Sequence, residues 1–483
     1  MNQLRAIARR IMSERGLLSD FSPRALAEAN AIARAPAATG PQIRDLRDRL
    51  WVSIDNDSSR DLDQLSVAEA QQGGGIRVLV AIADVDALVQ RGSALDEHAS
   101  TNTTSVYTAA GNFPMLPERL STDLTSLNED QERLALVVEM DVSGDGTVTR
   151  SEPYRAAVLN RAKLTYNSVA AWLEGRAPAP GRLQTPALAE QLRLQDRAAQ
   201  SLRQLRQQHG SLDLQTPQAE AVFDGAELAD LRPAEPNRAK ELIEDFMLAA
   251  NAATSRYLVQ RRFPLLRRVL RSPERWDRIV ALAAEHGGRL PPEPDGPALA
   301  RFLAARHQAD PARFADLSLS VVKLLGRGEY AFELPGAAQL GHFGLAVSDY
   351  THATAPNRRF PDLVIQRLLK AALGNRAAPY PPEELSAIAR HCNEQEQNAA
   401  KVERQVNKCA AATLLGSRIG ERFDAIVTGA SAKGTWVRIL RPAVEGRLVH
   451  DFHGLDVGDR LRVELISTDV DRGFIDFRRA ETA

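Results

Sequence analysis

The chain has 483 residues, enough for two or three domains with a sizeable core, and its 44% hydrophobic and 25% charged residues are ordinary for a folded globular protein. A formal net charge of -1 is unhelpful to nucleic-acid binding through a broad basic surface, so any such binding needs concentrated positive charge. No apolar run reaches membrane-spanning length, Met1 to Arg15 lacks a signal peptide's apolar centre, and Cys392 and Cys409 have no metal-type spacing. These features predict a cytoplasmic protein without membrane attachment, its two thiols buried and inert.

Residues 3 to 15 read as an amphipathic helix, with Leu4, Ile7, Ala8, Ile11 and Met12 on one side. Ser22 as cap and Pro23 in the first turn start a second helix that runs to Arg34. The segment from Ala35 to Pro41 breaks it, and Ile43, Leu46 and Leu50 predict a third. A small all-α, helix-turn-helix-like module is therefore expected over residues 1–50, either touching nucleic acid or serving as a structural cap.

The stretch from Ser53 to Gln64 follows, with four carboxylates (Asp55, Asp57, Asp61, Asp63) in nine residues. So much negative charge is costly to gather unless cations hold it. Asp61 and Asp63 share one face of an extended segment, and Asp55 can return toward them around a polar turn, so a cage for a hard cation is expected. A calcium loop fails on this spacing: Arg60 stands where glycine must turn and Ser66 where a bidentate glutamate is required. A solvated acidic turn is the remaining alternative.

The middle of the chain alternates strand-like runs (76–82, 134–142) with long helical patterns (188–208, 239–262, 273–286, 384–415), which predicts a mixed α/β domain. Asp141 to Glu152 fits a calcium-loop pattern, but the β-rich run before it predicts a hairpin turn instead. Concentrated positive charge occurs at Arg261, Arg262, Arg267, Arg268 and Arg271, at Arg358 and Arg359, and at Lys401, Arg404 and Lys408. From Gly420 onward five short β runs (424–428, 434–440, 444–449, 460–467, 472–477) with Gly-rich turns predict a small OB barrel. Trp436 and Phe452 are candidate stacking residues there, Trp436 equally a core residue.

The acidic stretch resembles a known family when it is read with Ile82-Ala83-Asp84-Val85, Thr104-Ser105-Val106-Tyr107, Pro114-Met115-Leu116-Pro117-Glu118-Arg119-Leu120-Ser121 and Ala162-Lys163-Leu164-Thr165-Tyr166. Leu242 to Leu248, His342-Phe343-Gly344-Leu345 and Tyr350 to Leu363 continue the matches in the same order. Together they are similar to the RNB catalytic domain of the RNase II and RNase R exoribonucleases, over roughly residues 51 to 415. Residues 429 to 450 are similar to the RNA-binding OB domain that RNase II proteins carry at this end. The domains expected are a helical module at 1–50, where the family usually has cold-shock domains, an RNB domain of mixed α/β (α+β) fold at 51–418, and a five-stranded OB barrel at 419–483. The chain departs from the family at Gln64, usually a fourth acid, and in Ala355-Pro356-Asn357-Arg358-Arg359, commonly Ser-Pro-Ile-Arg-Arg.

The resemblance implies a hydrolytic 3′ to 5′ exoribonuclease acting on single-stranded RNA, with magnesium as cofactor and manganese as a substitute, and with no obligate protein partner. Asp55, Asp61, Asp63 and Gln64 are the expected metal-facing residues, Asp61 and Asp63 with Arg358 and Arg359 the catalytic set. For Arg358 the alternative is a structural pairing with Asp362 or Asp349. Tyr107 and Phe263 are expected to hold bases, Tyr166 a ribose, and Glu403 to stand near the product end. For Phe263 and Glu403 a core aromatic and a helix-surface acid are the alternatives. The loss of an acid at Gln64 keeps open a catalytically silent, RNA-binding member of the family.

Overall fold

Ser22 Oγ accepts the Ala25 N–H at 3.1 Å and Pro23 opens the helix, so the cap read from the sequence starts α2 (Pro23–Ala31), the second helix after α1 (Asn2–Glu14). The computed structural model describes residues 2–214, 219–224, 227–233, 237–337, 341–431, 434–450, 454–455 and 458–480; Phe452 lies outside them. The expected third helix is instead a strand, β1 (Ile43–Asp45), paired parallel to a later strand of the main sheet. After the Gly40-Pro41 break, three residues cover the exposed backbone of an edge strand, and the apolar spacing that suggested a helix places Leu46 and Leu50 against the core.

The sheet continues through β2 (Val52–Asp55), β3 (Gln64–Ala70) and β4 (Ile76–Ala83). Helix α3 (Ala94–Asn102) and a short hairpin, β5 (Val106–Thr108) and β6 (Gly111–Phe113), intervene before β7 (Glu132–Val142), β8 (Val148–Leu159) and β9 (Ala162–Thr165). The spatial order is β1-β8-β7-β4-β3-β2-β9. Alternation along β4 feeds both faces: Val78, Val80 and Ile82 enter one core, Leu79, Ala81 and Ala83 the other. The hairpin predicted at Asp141 to Glu152 is the β7–β8 turn, where Gly146 (φ +87°) lies so close to the next helix layer that a Cβ would stand 2.1 Å from the Ser201 carbonyl oxygen.

Helices α4 (Tyr166–Leu173), α5 (Pro186–Gln208) and, after the β10 (Ala219–Asp224)–β11 (Glu227–Pro233) hairpin, α6 (Arg238–Gln260) cover one face. A two-stranded ribbon pairs β12 (Leu265–Val269) with β13 (Glu329–Glu333), with α7 (Trp276–Glu285), α8 (Gly296–Ala309) and α9 (Pro311–Leu325) between them forming their own core. On the other face lie α2, α3, α10 (Phe360–Leu373) and the start of α11 (Pro382–Leu415). The two N-terminal helices pack into this body: α1 buries Ile7, Ala8, Ile11 and Met12 against Val106, Phe113 and the α11 residues Val402 and Val406. The Glu28 side chain on α2 accepts the Ala94 N–H at the start of α3. A closed barrel of β14 (Arg422–Ser431), β15 (Gly434–Ile439), β16 (Val444–His450), β17 (Arg460–Asp469) and β18 (Phe474–Arg479) follows, close to the five predicted runs. Both cysteines are buried and unbridged, and no helix among the described residues is long and apolar enough to cross a membrane.

His98 on α3 gives this packing a pH dependence. It is 5% exposed, packs at 4.2 Å from Phe21, and has no partner for Nδ1, so burial lowers its pKa to about 4. A base whose pKa is depressed in the fold stabilises above its unfolded value and loses that contribution as pH falls through the window from 6.5 toward 4. His98→Gln should therefore flatten the acid limb of the stability curve, by up to about 3 kcal/mol across that window. Urea titrations of both proteins at several pH values check this; parallel acid limbs would rule it out.

Candidate active site

At the end of β2 the Asp55 carboxylate accepts the Asn56 N–H at 2.7 Å and the Ser59 hydroxyl at 2.8 Å, and the second bond draws the loop back before β3 begins at Gln64. Asp57 points outward and is engaged by Asn167 at 3.3 Å. Asp61 is half-buried, and its pKa is raised by that burial and by Asp55, against the pull of Arg358. Asp63 is 2% exposed: Oδ1 accepts the Asn357 N–H at 3.1 Å, whereas Oδ2 has no hydrogen bond and faces Arg358 Nε at 3.6 Å. Burial pushes Asp63 up to about 7, Arg358 opposing and Asp61 adding repulsion. Gln64 is 9% exposed and its amide makes no hydrogen bond among the described residues.

The two arginines are separated by what they touch. Asp362, in the first turn of α10, accepts the Thr354 and Ala355 N–H groups, each at 2.8 Å, and Arg359 Nη2 at 2.7 Å. Arg359 is thereby spent on a mostly buried pair that holds it charged. Arg256 pairs with Asp349, so neither of the structural partners expected for Arg358 is its partner. Arg358 is 45% exposed, and its one ion-pair partner among the described residues is Asp63. The backbone of this segment pairs with the chain leading into β5: Ser105 N–H donates to the Arg358 carbonyl at 2.9 Å, and Phe360 N–H to that of Thr103 at 2.8 Å.

Tyr107 on β5 is 40% exposed, and its backbone N–H donates to Glu403 on α11 at 3.0 Å. Its hydroxyl pKa is raised by burial, with Arg358, Asp61 and Asp63 as the charges that act on it. Tyr166, at the first turn of α4, has its hydroxyl raised by burial and by Asp55, again against Arg358. Both tyrosines thus lie near enough for the charges of the acidic cluster and Arg358 to act on their hydroxyls. Phe263 is half-buried against the larger core beyond the end of α6. Trp436 is half-buried on the outer face of the barrel, between the inward-facing Thr435 and Val437. On the same outer face Arg438 meets Asp316 of α9 at 3.3 Å.

Sequence reasoning missed the polar groups packed behind Arg359: His352, Tyr330 and Glu396. His352 Nδ1 lies 2.8 Å from the Tyr330 hydroxyl, and its pKa falls well below 6.5 through burial and the nearby Arg359, Arg268 and Arg358, which keeps the imidazole neutral. Arg268 stands over the Tyr330 ring at 4.7 Å and is held by Glu396 through two bonds of 2.7 Å. The signal was present, since His352 belongs to the quoted Tyr350 to Leu363 motif. Arg267, grouped with it as free positive charge, is fully buried against Glu333.

No three His, Cys, Asp or Glu side chains among the described residues converge into a finished metal cage. The residues nevertheless fit a hard cation: the donors are all oxygen, and the buried Oδ2 of Asp63 has no hydrogen bond.

An acidic cluster facing an exposed arginine with two tyrosines nearby, on a body joined to a closed five-stranded barrel, has the makings of a phosphodiester-cleaving enzyme that also grips a polymer. The RNB domain family matches residues 43–375, well over half of the chain, and the RNase II-type exonuclease C-terminal S1 domain matches residues 421–480. The chain belongs to the RNB family. Ribonuclease R of Thermotoga maritima is 30% identical over 497 residues, covering 95% of this chain and 68% of the relative. Ribonuclease R of Escherichia coli K12 is 31% identical over 474 residues, covering 90% of this chain and 57% of that protein, so the chain spans little more than half its length. Among solved structures, Mycoplasma genitalium RNase R in complex with ribose-methylated single-stranded RNA superposes with a TM-score of 0.88 at 23% identity, over 98% of this chain and 77% of that one. The yeast pseudonuclease Ssd1 shares the fold at a TM-score of 0.73 and 16% identity, over 95% of this chain and 57% of that one.

Proposed function

We propose that this protein is a metal-dependent hydrolase that shortens single-stranded RNA from its 3′ end, releasing nucleoside 5′-monophosphates and leaving a short oligonucleotide. The observation that carries the reading is the unbonded, buried Oδ2 of Asp63 facing the exposed Arg358. Asp55, Asp61 and Asp63, with the amide oxygen of Gln64, would hold magnesium, or manganese in its place, which when bound supplies an activated water and neutralises charge on the leaving oxygen. Arg358 would take a non-bridging phosphate oxygen and the charge that grows on it, while Arg359, bonded to Asp362, would hold the loop that carries Arg358. Tyr107 offers a ring for terminal bases, and Glu403 holds its backbone in place. Tyr166, whose hydroxyl feels the Asp55 charge, would contact a ribose. Trp436, half-buried on the outer face of the barrel, would stack on RNA.

A time course on 3′-extended RNA with and without magnesium tests this. Stepwise shortening that requires the metal is expected; RNA that is bound yet stays intact would favour the silent, RNA-binding reading that Gln64 suggests.

Tyr107→Ala should lengthen the final oligonucleotide or make its sizes heterogeneous, since about 1 to 3 kcal/mol of stacking is lost when few bases remain to be gripped. An unchanged product ladder would return Tyr107 to a packing role. Gln64→Asp should lower the magnesium concentration for half-maximal rate and raise activity, because the amide it replaces has no hydrogen bond to lose among the described residues. A magnesium titration with an unchanged half-point and a slower maximal rate would refute that expectation.

A further inference from the structure

A second concentration of positive charge lies away from the acidic cluster. Arg44, Arg155, Arg261, Lys370 and Arg376 line a cleft of ≈710 Å³, with Tyr154 and Tyr257 in its walls. It opens where α6 and α10 end, against β8 on the far side of the sheet from β2 and β3. Arg358 precedes α10, whereas Arg376 follows it, so a 14-residue helix, about 20 Å long, separates the cleft from the proposed cutting centre.

Three of the five cations are already matched. Arg44 pairs with Glu152 and lies 3.7 Å from the Tyr154 ring centroid. Arg155 meets Asp84 at 3.0 Å, and Lys370 meets Asp84 at 2.8 Å and Asp86 at 2.7 Å. The Asp84 carboxylate is fully buried, so these two cations are held from beneath. Arg261 and Arg376 have no carboxylate partner among the described residues; Arg261 only touches the Asn375 side-chain oxygen at 3.3 Å and its own neighbour ring, Tyr257, at 5.2 Å. Arg155 Nε is buried without a hydrogen bond. Two unmatched positive charges over a floor of anchored cations suit a ligand carrying close to two negative charges on one group. A phosphomonoester has that charge near neutral pH; a backbone phosphodiester has only one. The volume is within the range of nucleotide-sized sites.

We propose that this cleft is a binding site for a phosphomonoester, with Arg261 and Arg376 its principal contacts. Two sources carry that group: a nucleoside 5′-monophosphate, which on the function proposed above is the enzyme's own product, and the 5′-phosphate end of an RNA. Because the site is read from charge and geometry, it stands whether or not the chain cleaves RNA.

The test is calorimetry on the full chain with adenosine 5′-monophosphate, adenosine, and a short 2′-O-methyl oligonucleotide with and without a 5′-phosphate. Wild type, Arg261→Gln/Arg376→Gln and the charge-preserving Arg261→Lys/Arg376→Lys are compared, with melting temperatures as a control for folding. The monophosphate should bind and adenosine should not; the glutamine pair should lose at least about tenfold in affinity and the lysine pair retain most of it. Adenosine 5′-monophosphate alone binding through these arginines makes a free nucleotide the ligand. A preference for the 5′-phosphorylated oligonucleotide that disappears in the glutamine pair makes it an RNA end. Monophosphate binding that is undetectable at millimolar concentration, or equally tight in the glutamine pair, overturns the proposal. A nuclease-inactive wild type that still binds the monophosphate through the two arginines would separate the fate of this site from that of the proposed reaction.

Discussion

Asp63→Asn is expected to slow cleavage of labelled single-stranded RNA by more than about a hundredfold while leaving RNA binding intact or tighter. The reason lies in what each carboxylate oxygen does. Oδ1 accepts the Asn357 N–H, a bond that an asparagine oxygen can keep. Oδ2 is buried beside Arg358 without a hydrogen bond, and only a carboxylate brings a charge there for a cation to meet. Burial raises Asp63 to about 7, so ionising it costs the apo fold, and the neutral amide should leave thermal stability equal or higher. Gel-resolved rates, an RNA-binding titration and a melting curve on the same preparation check all three parts. A variant that digests RNA at more than a tenth of the parent rate would end the metal assignment.

The second large effect is at Arg358. Arg358→Ala should lower kcat/KM by about a hundredfold to a thousandfold, the usual range for removing one preorganised donor from a transition state that gathers charge. Arg358→Lys should recover only part of that loss, since one ammonium cannot reproduce a planar fork on a phosphate. The outcome separates the adjacent arginines. Arg359 is tied to a buried Asp362 that also anchors the Thr354 and Ala355 backbone, so Arg359→Ala should reduce thermal stability as well as rate. Arg358→Ala, at a half-exposed side chain, should leave the melting curve nearly unmoved. Equal melting losses in the two variants would mean that Arg358 is a structural residue.

Much of this arrangement was legible in the chain, and for identifiable reasons. The barrel strands and the long helices follow from period and turn chemistry, which are local. The acidic stretch announced itself because Asp55, Asp57, Asp61 and Asp63 are neighbours in sequence, and Asp57 alone among them turned outward, engaged by Asn167. What stayed hidden depends on contacts between distant segments. Three residues at Ile43 become a strand only because β8 offers an open edge. The division of labour between Arg358 and Arg359 is set by Asp362 and Asp63, and the hydropathy of Arg267 gives no hint that Glu333 takes it into the interior. Phe263, named from the resemblance with a core aromatic as the alternative, packs its partly buried ring against core residues, a setting its sequence neighbours do not reveal.

The pairing of residues 103–105 with 358–360 has one further implication. Because the Ser105 and Phe360 amides tie the chain that carries Tyr107 directly to the chain that carries Arg358, the ring and the guanidinium spring from two hydrogen-bonded, adjacent segments. On the proposed reading, the distance from the last gripped base to the bond that is cut is therefore a fixed gauge. Such a device advances in equal increments regardless of base identity, as a ratchet with a set tooth does. Loosening the tie between the two segments should blur where the strand is cut before it changes how fast.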